Sequence, residues 1–158
     1  METKLQGKTA FITGGSKGIG LGIAEAMVKH GMKVAVTSRR QEAADKAAEQ
    51  LNKMGSGEAL GVAADVRDLV AQESAVKKVL DAWGQLDVVI ANAGVGHFAS
   101  IEEMTPEQWH AVVDTNLTGV FYTAKATIPP LKKSKGYLIT IASLAGTNFF
   151  AGGAAYNA

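Results

Sequence analysis

The chain contains no cysteine, so neither a disulfide nor a cysteine-ligated metal belongs to its chemistry. No carboxylate–histidine cluster has metal-ligand spacing, and His30, His97 and His110 stand apart from one another. No metal site is therefore expected. No apolar run approaches the roughly 20 residues of a membrane span. The polar stretch from Met1 to Lys8 has no signal-peptide core. A net charge of +1 leaves no broad electrostatic footprint for nucleic acid or an anionic membrane. There is no internal repeat, low-complexity segment or linker. These absences point to a cytoplasmic protein that binds neither nucleic acid nor membrane. What remains is 158 residues, 47% hydrophobic and 20% charged. That suits one globular domain spanning residues 1–158.

Apolar runs alternate with amphipathic stretches throughout. The runs predict strands at Thr9–Thr13, Lys33–Ser38, Ala59–Ala64, Leu86–Ala91 and Gly136–Ala142. Several are nearly all apolar, as strands of a parallel sheet covered on both faces are. Helices are predicted at Ile19–His30, Glu42–Met54, Asp68–Trp83 and Pro106–Leu131. Ile19, Ile23, Ala26 and Met27 form an apolar stripe in the first helix, and His30-Gly31 closes it. Ala44, Ala47, Ala48, Leu51 and Met54 share a face of the second, and Val76, Val79, Leu80 and Trp83 a face of the third. Thr105-Pro106-Glu107-Gln108 is a helix start with cap, first-turn proline and capping box. This order implies right-handed crossovers and an α/β, doubly wound, Rossmann-like parallel sheet of five strands. Ligands of such sheets bind beyond the carboxyl ends of the strands, where the strand order switches.

The glycine-rich run Thr13-Gly14-Gly15-Ser16-Lys17-Gly18-Ile19-Gly20 lies between the first strand and the first helix. A strand that turns through glycines into a helix aims free N–H groups and the positive end of the helix dipole at one point, which suits a phosphate. The spacing is Gly14-x3-Gly18-x-Gly20. It is neither the G-x-G-x-x-G fingerprint nor a P-loop. The second strand ends in Thr37-Ser38-Arg39-Arg40, with no acidic residue before Glu42. An acid here would bind a ribose 2′-OH. Ser38 and Arg39, with Lys17 in the loop, instead offer a hydroxyl and cations that fit a 2′-phosphate. NADP(H) is favoured over NAD(H). Arg39 and Arg40 as mere solvation of a helix start is the weaker alternative, because positive charge there opposes the helix dipole.

The glycine loop resembles the cofactor loop of the short-chain dehydrogenases/reductases, and the chain resembles the 3-oxoacyl-ACP reductase-like members of that family. The resemblance extends from Thr13 to Tyr156. It implies that Gly14, Ser16, Lys17, Gly18, Ile19 and Gly20 hold the cofactor, with Ser38 and Arg39 at the ribose. It implies that Asp65 bonds the adenine amino group and that Val66 backs the ring, although Asp65 also suits the start of the following helix. Asn92-Ala93-Gly94 matches the signature that steadies the central sheet and lines the cofactor path. Asn116 matches the family's catalytic asparagine, which distorts its helix and holds a water of the proton relay. The polar run Asp114-Thr115-Asn116 inside a long predicted helix agrees with that, since such residues are poor helix formers. Ser143 matches the catalytic serine that holds the substrate oxygen, and Tyr156 the catalytic tyrosine.

The implied reaction is hydride transfer between a nicotinamide and a carbonyl or alcohol, with Ser143 polarising the oxygen and Tyr156 as general acid. The family's lysine, four residues after the tyrosine, would fall two residues past Ala158. Two expectations follow. The favoured one is part of a longer active reductase. The other is a nucleotide-binding remnant, or an NADPH sensor without turnover. The resemblance further implies a homo-oligomer, dimer or tetramer, with contacts through the helix from Pro106. His97 could reach the pocket mouth, but a solvated loop residue is favoured. His30 and His110 read as helix surface. Phe149-Phe150 fit either a substrate wall or the core.

Overall fold

The computed structural model describes residues 4–158, so Met1–Thr3 of the polar N-terminal stretch lie outside the described residues. Five strands, β1 (Thr9–Ile12), β2 (Lys33–Ser38), β3 (Glu58–Ala63), β4 (Val88–Ala91) and β5 (Tyr137–Thr140), form one parallel sheet in the order β3-β2-β1-β4-β5. The predicted strands are all present, with Lys33–Ser38 unchanged and the boundaries of the others moved by at most two residues. Strand order reverses between β1 and β4, so the crevice for a ligand opens beyond their carboxyl ends. The α/β doubly wound reading is correct.

Side chains alternate between two apolar layers. Ala10, Ile12, Val34 and Val36 pack with Ala24, Val28, Ala47 and Leu51 of helices α1 (Gly18–Lys29) and α2 (Gln41–Asn52). Phe11, Ala35 and Val89 pack on the opposite face with Val76, Val79 and Leu131 of helices α3 (Leu69–Trp83) and α5 (Gly119–Ser134). Both faces of β1 and β2 are therefore covered, which explains why their sequences carry no polar alternation. β5 lies at the edge, and its Tyr137 and Ile139 are exposed.

Caps set the helix starts. Asp68 accepts from the Ala71 N–H, and Thr105 with Gln108 forms the expected capping box ahead of α4 (Pro106–Val113). Gly31, at φ +78°, follows the end of α1.

Two helical expectations need correction. The buried face of α1 is Gly20, Ala24 and Val28, with Leu21, Ile23 and Met27 partly buried. Ala26 is exposed and Ile19 is 67% exposed. The small residues let α1 settle close to the sheet, and that turns Ile19 towards the crevice. The expected continuous helix Pro106–Leu131 is broken by a π-helical segment, Asp114–Thr118, and α5 then runs through Pro129 and Pro130 to Ser134. The cause of the break is tertiary. Asn116 is bonded to the loop after β4, and α5 approaches Val66 so closely that a Cβ on Gly119 would lie 2.7 Å from its Cγ2. A π segment absorbs the mismatch, as it does at many functional sites.

Candidate active site

The turn after β1 is braced from β4. Thr13 Oγ1 accepts from the N–H groups of Asn92 (3.0 Å) and Ala93 (3.1 Å), and Asn92 Nδ2 donates to the carbonyls of Thr13 (3.0 Å) and Gly14 (3.2 Å). Gly20 makes room for this brace: a Cβ there would lie 2.5 Å from Asn92 Nδ2 and 2.7 Å from the Gly14 carbonyl oxygen. Gly14 itself has φ +63°. The N-cap of α1, Lys17, makes no side-chain capping bond. The first-turn N–H groups therefore have no side-chain oxygen at the cap position, a good setting for an anion.

A cleft of about 720 Å³ opens here. Gly14, Ser16, Lys17, Gly18 and Ile19 form its floor, Ser38 and Arg39 come from the end of β2, Asp65 and Val66 from the end of β3, and Asn92, Ala93 and Gly94 from the end of β4. Of the cofactor residues expected from the sequence, only Gly20 is absent from the lining. It lies buried beneath, as support for Asn92. The lining also includes Arg40, Arg67, Val95 and Thr115. Of these, Arg67 carries no sequence signal, because its place in the site is set by the turn after β3. A pyrophosphate-bearing dinucleotide fits this donor set, with uncapped helix amides at one end and Lys17, Arg39, Arg40 and Arg67 around it.

Asp65 does not cap the following helix. That position is taken by Asp68. Instead the Arg67 guanidinium forks the Asp65 carboxylate, Nη2 to Oδ2 at 2.7 Å and Nε to Oδ1 at 3.0 Å. The Arg67 side chain, foremost, and then its backbone N–H hold the Asp65 carboxyl below the usual carboxylate range, against the opposing effect of burial. A lowered folded-state pKa contributes stability that is present above about pH 4 and is lost as pH falls through the lowered value. Both side chains are partly exposed, 43% for Arg67 and 29% for Asp65, so solvent screening keeps that contribution small. Arg67→Met should return the Asp65 carboxyl towards about 3.9. A carboxyl-carbon NMR titration reads this directly, and an unmoved titration would rule out the Arg67 side chain as the cause.

A second cleft, of about 860 Å³, shares Ile19 and the Asn92–Val95 wall with the first. It brings together Asn116, Ser143 and Tyr156 from three separate elements. Asn116 sits in the π segment. Its Nδ2 donates to the Val95 carbonyl (2.8 Å) and its Oδ1 accepts from the Val95 N–H (2.9 Å), which pins the loop after β4. Ser143 follows β5, and its Oγ accepts from the Ala145 N–H at 3.2 Å, leaving the hydroxyl proton to donate elsewhere. Tyr156 lies half-buried on the short helix α6 (Ala154–Asn157). His97 lines neither cleft and is exposed. Phe149 and Phe150 are not core, being 76% and 45% exposed. Among the described residues no group of three His, Asp or Glu side chains could hold a metal, and no helix is long and apolar enough to cross a membrane.

The chain is similar to known reductases and dehydrogenases. A 3-oxoacyl-[acyl-carrier-protein] reductase of Chlamydia muridarum is 35% identical over 149 residues, covering 92% of this chain and 59% of that protein. An alcohol dehydrogenase of Thermococcus sibiricus, solved in complex with 5-hydroxy-NADP, superposes with a TM-score of 0.90 at 36% identity, covering 94% of this chain and 63% of that one. An NAD+-bound xylitol dehydrogenase superposes with a TM-score of 0.92 at 29% identity, covering 98% and 60%. The chain thus spans about three fifths of the length of these relatives. The sequence profile described as short chain dehydrogenase matches residues 8–158, from the residue before β1 to Ala158, and so takes in both clefts. The chain belongs to the short chain dehydrogenase family.

Proposed function

We propose that residues 1–158 form one dinucleotide-binding domain of an NADP(H)-dependent oxidoreductase acting on a carbonyl or alcohol. The observation that carries this reading is the shared wall. The cleft with phosphate-type donors runs along Asn92–Val95 into the cleft that holds Asn116, Ser143 and Tyr156. When bound, the nicotinamide supplies the hydride, and the protein binds the substrate and provides the proton.

In this reading the amides of the Gly14–Gly20 loop hold the pyrophosphate. Ser38, Arg39 and Lys17 take the 2′-phosphate, and Asp65 and Val66 flank the adenine. Asn92, Ala93 and Gly94 line the path between the clefts. Ser143, whose lone pair is engaged by the Ala145 N–H, donates a hydrogen bond to the substrate oxygen, keeps its proton and so polarises the carbonyl. Tyr156 delivers the proton as general acid and takes it back in the reverse direction. Asn116 holds the Val95 loop in register with both groups, and its second Nδ2 proton is left for the water of the relay. The outward side of α5 exposes Phe121 and Ile128, which supports a homo-oligomer with contacts there.

The test is cofactor discrimination. Arg39→Ala should weaken NADPH binding by about 10- to 100-fold, the size of a lost charge-assisted hydrogen bond, and leave NADH nearly unchanged. Fluorescence titration with both nucleotides reads this. Equal loss for the two would remove Arg39 from the 2′-phosphate.

A further inference from the structure

We propose that Arg67 is a positioning residue for the base end of the cofactor: its guanidinium forks the Asp65 carboxylate, so that a fixed acceptor edge meets the amino group of the adenine. This rests on the reading of the first cleft as a dinucleotide site, and adds the residue that makes its base end selective.

The sheet sets where each part of the ligand lies. The glycine loop follows β1, Ser38 and Arg39 stand at the end of β2, and Asp65 follows β3, the edge strand. Neighbouring strands lie about 4.8 Å apart, which puts the end of β3 roughly 10 Å from that of β1. A ligand with its pyrophosphate over β1 and its ribose over β2 therefore brings its base to β3. Charge agrees with this placing. Asp65 is the one acidic residue in a lining that carries four cations, Lys17, Arg39, Arg40 and Arg67. A carboxylate only accepts hydrogen bonds and repels phosphate, so it suits an uncharged group with N–H donors. The amino group of adenine is such a group.

Asp65 is held at both its main chain and its side chain. Its carbonyl accepts from the Asp68 N–H (3.1 Å) and from Nε2 of the fully buried Gln72 (3.3 Å). Its carboxylate is held by Arg67 alone among the described residues. Besides the fork, the Arg67 N–H donates to Oδ1 at 3.0 Å, and Nε also reaches Oδ2 at 3.2 Å. Each oxygen keeps a further lone pair for a ligand. As a device for stability the pair is weak, because both side chains are partly exposed. Its place in the cleft wall gives it another use. A planar fork fixes the plane of a carboxylate as well as its position, which a single ammonium group does not. It also offsets a negative charge that would otherwise act on the phosphates.

Calorimetric titration of the full chain compares NADP+ with the analogue that carries purine in place of adenine and so lacks only the amino group. NAD+ and its purine analogue are titrated alongside, which frees the result from the 2′-phosphate assignment. The unaltered protein should prefer adenine about tenfold, the lower end of the range for a hydrogen bond to a charged acceptor. Arg67→Met should cut that preference to below about threefold. Arg67→Lys keeps the charge without the fork, so the purine analogue should bind within about twofold of its affinity for the unaltered protein while the preference stays lost. Asp65→Ala should abolish the preference, and adding Arg67→Met to it should change the preference no further, because the two side chains act as one unit. Both side chains are partly exposed, so no variant empties a core site. Equal weakening of the adenine and purine nucleotides in Arg67→Met would make Arg67 a phosphate ligand and overturn the proposal. Full preference in Arg67→Lys, a further shift in the double variant, or binding without base preference in the unaltered protein would overturn it as well, and each leaves the dinucleotide reading in place. Binding of neither NADP+ nor NAD+ would remove that reading and the proposal with it.

Discussion

Tyr156→Phe should lower kcat for carbonyl reduction by about 100- to 10,000-fold, the usual contribution of a positioned general acid. The dissociation constant for NADPH should stay where it was. The substitution removes one oxygen and leaves the ring, so the edge contact with Phe98 and the packing of α6 are retained. In the proposed reading Ser143 would still polarise the substrate oxygen, but no proton would be delivered to it. Stopped-flow measurement of NADPH oxidation, together with a nucleotide titration, separates the two quantities. Turnover within a few-fold of the unaltered protein would eliminate Tyr156 as the proton donor. A parallel loss of nucleotide affinity would instead mean that the hydroxyl contributes to cofactor binding.

Gly14→Ala should destabilise the fold by about 2–5 kcal/mol, and NADPH affinity should fall by more than about tenfold. Two costs coincide at this position. Backbone at φ +63° disfavours any side chain, and the added Cβ would lie 2.9 Å from Ala93 Cα, a backbone atom with little freedom to move. Ala93 is held in turn by its N–H bond to Thr13 Oγ1. Relief therefore requires the glycine loop to part from the end of β4, and the brace from Asn92 to the Gly14 carbonyl parts with it. Gly18→Ala is the control. Its φ of +57° carries the same kind of strain, but nothing lies within 4 Å of the added Cβ, so a loss of only about 1–2 kcal/mol is expected. Urea unfolding of both variants makes the comparison. Equal losses would show that strain alone matters and that the contact with Ala93 gives way freely.

Local chemistry made much of this molecule legible. The apolar runs of β1 and β2 announce strands buried on both faces because nothing polar interrupts them. Thr105 to Gln108 writes its own capping box, since all the groups involved lie within four residues. The glycine loop could be read because the need for free amides and small residues is a property of the turn itself. Asn116 was legible only as a violation: a polar run in a helix interior marks a break without saying what causes it.

The cause came from residues far along the chain. Asn116 meets Val95, 21 positions earlier, and that pairing turned one predicted helix into two with a π segment between them. The buried face of α1 differs from its apolar stripe for a related reason. Helical periodicity identifies an apolar face, but the closeness of Gly20 to Asn92, 72 positions on, decides how far the helix is rotated and leaves Ile19 in the crevice. Arg67 on Asp65, and the Phe98 ring against Tyr156 and Phe150, have no periodic or compositional signature. The sequence by itself determined the succession of strands and helices and the glycine-rich turn, because each depends on residues within a turn or two of one another, and it determined the family through motifs spread from Thr13 to Tyr156. Only the tertiary structure decided which side chains share a cleft, because strand order and loop closure bring together residues whose separation along the chain carries no information about their distance in space.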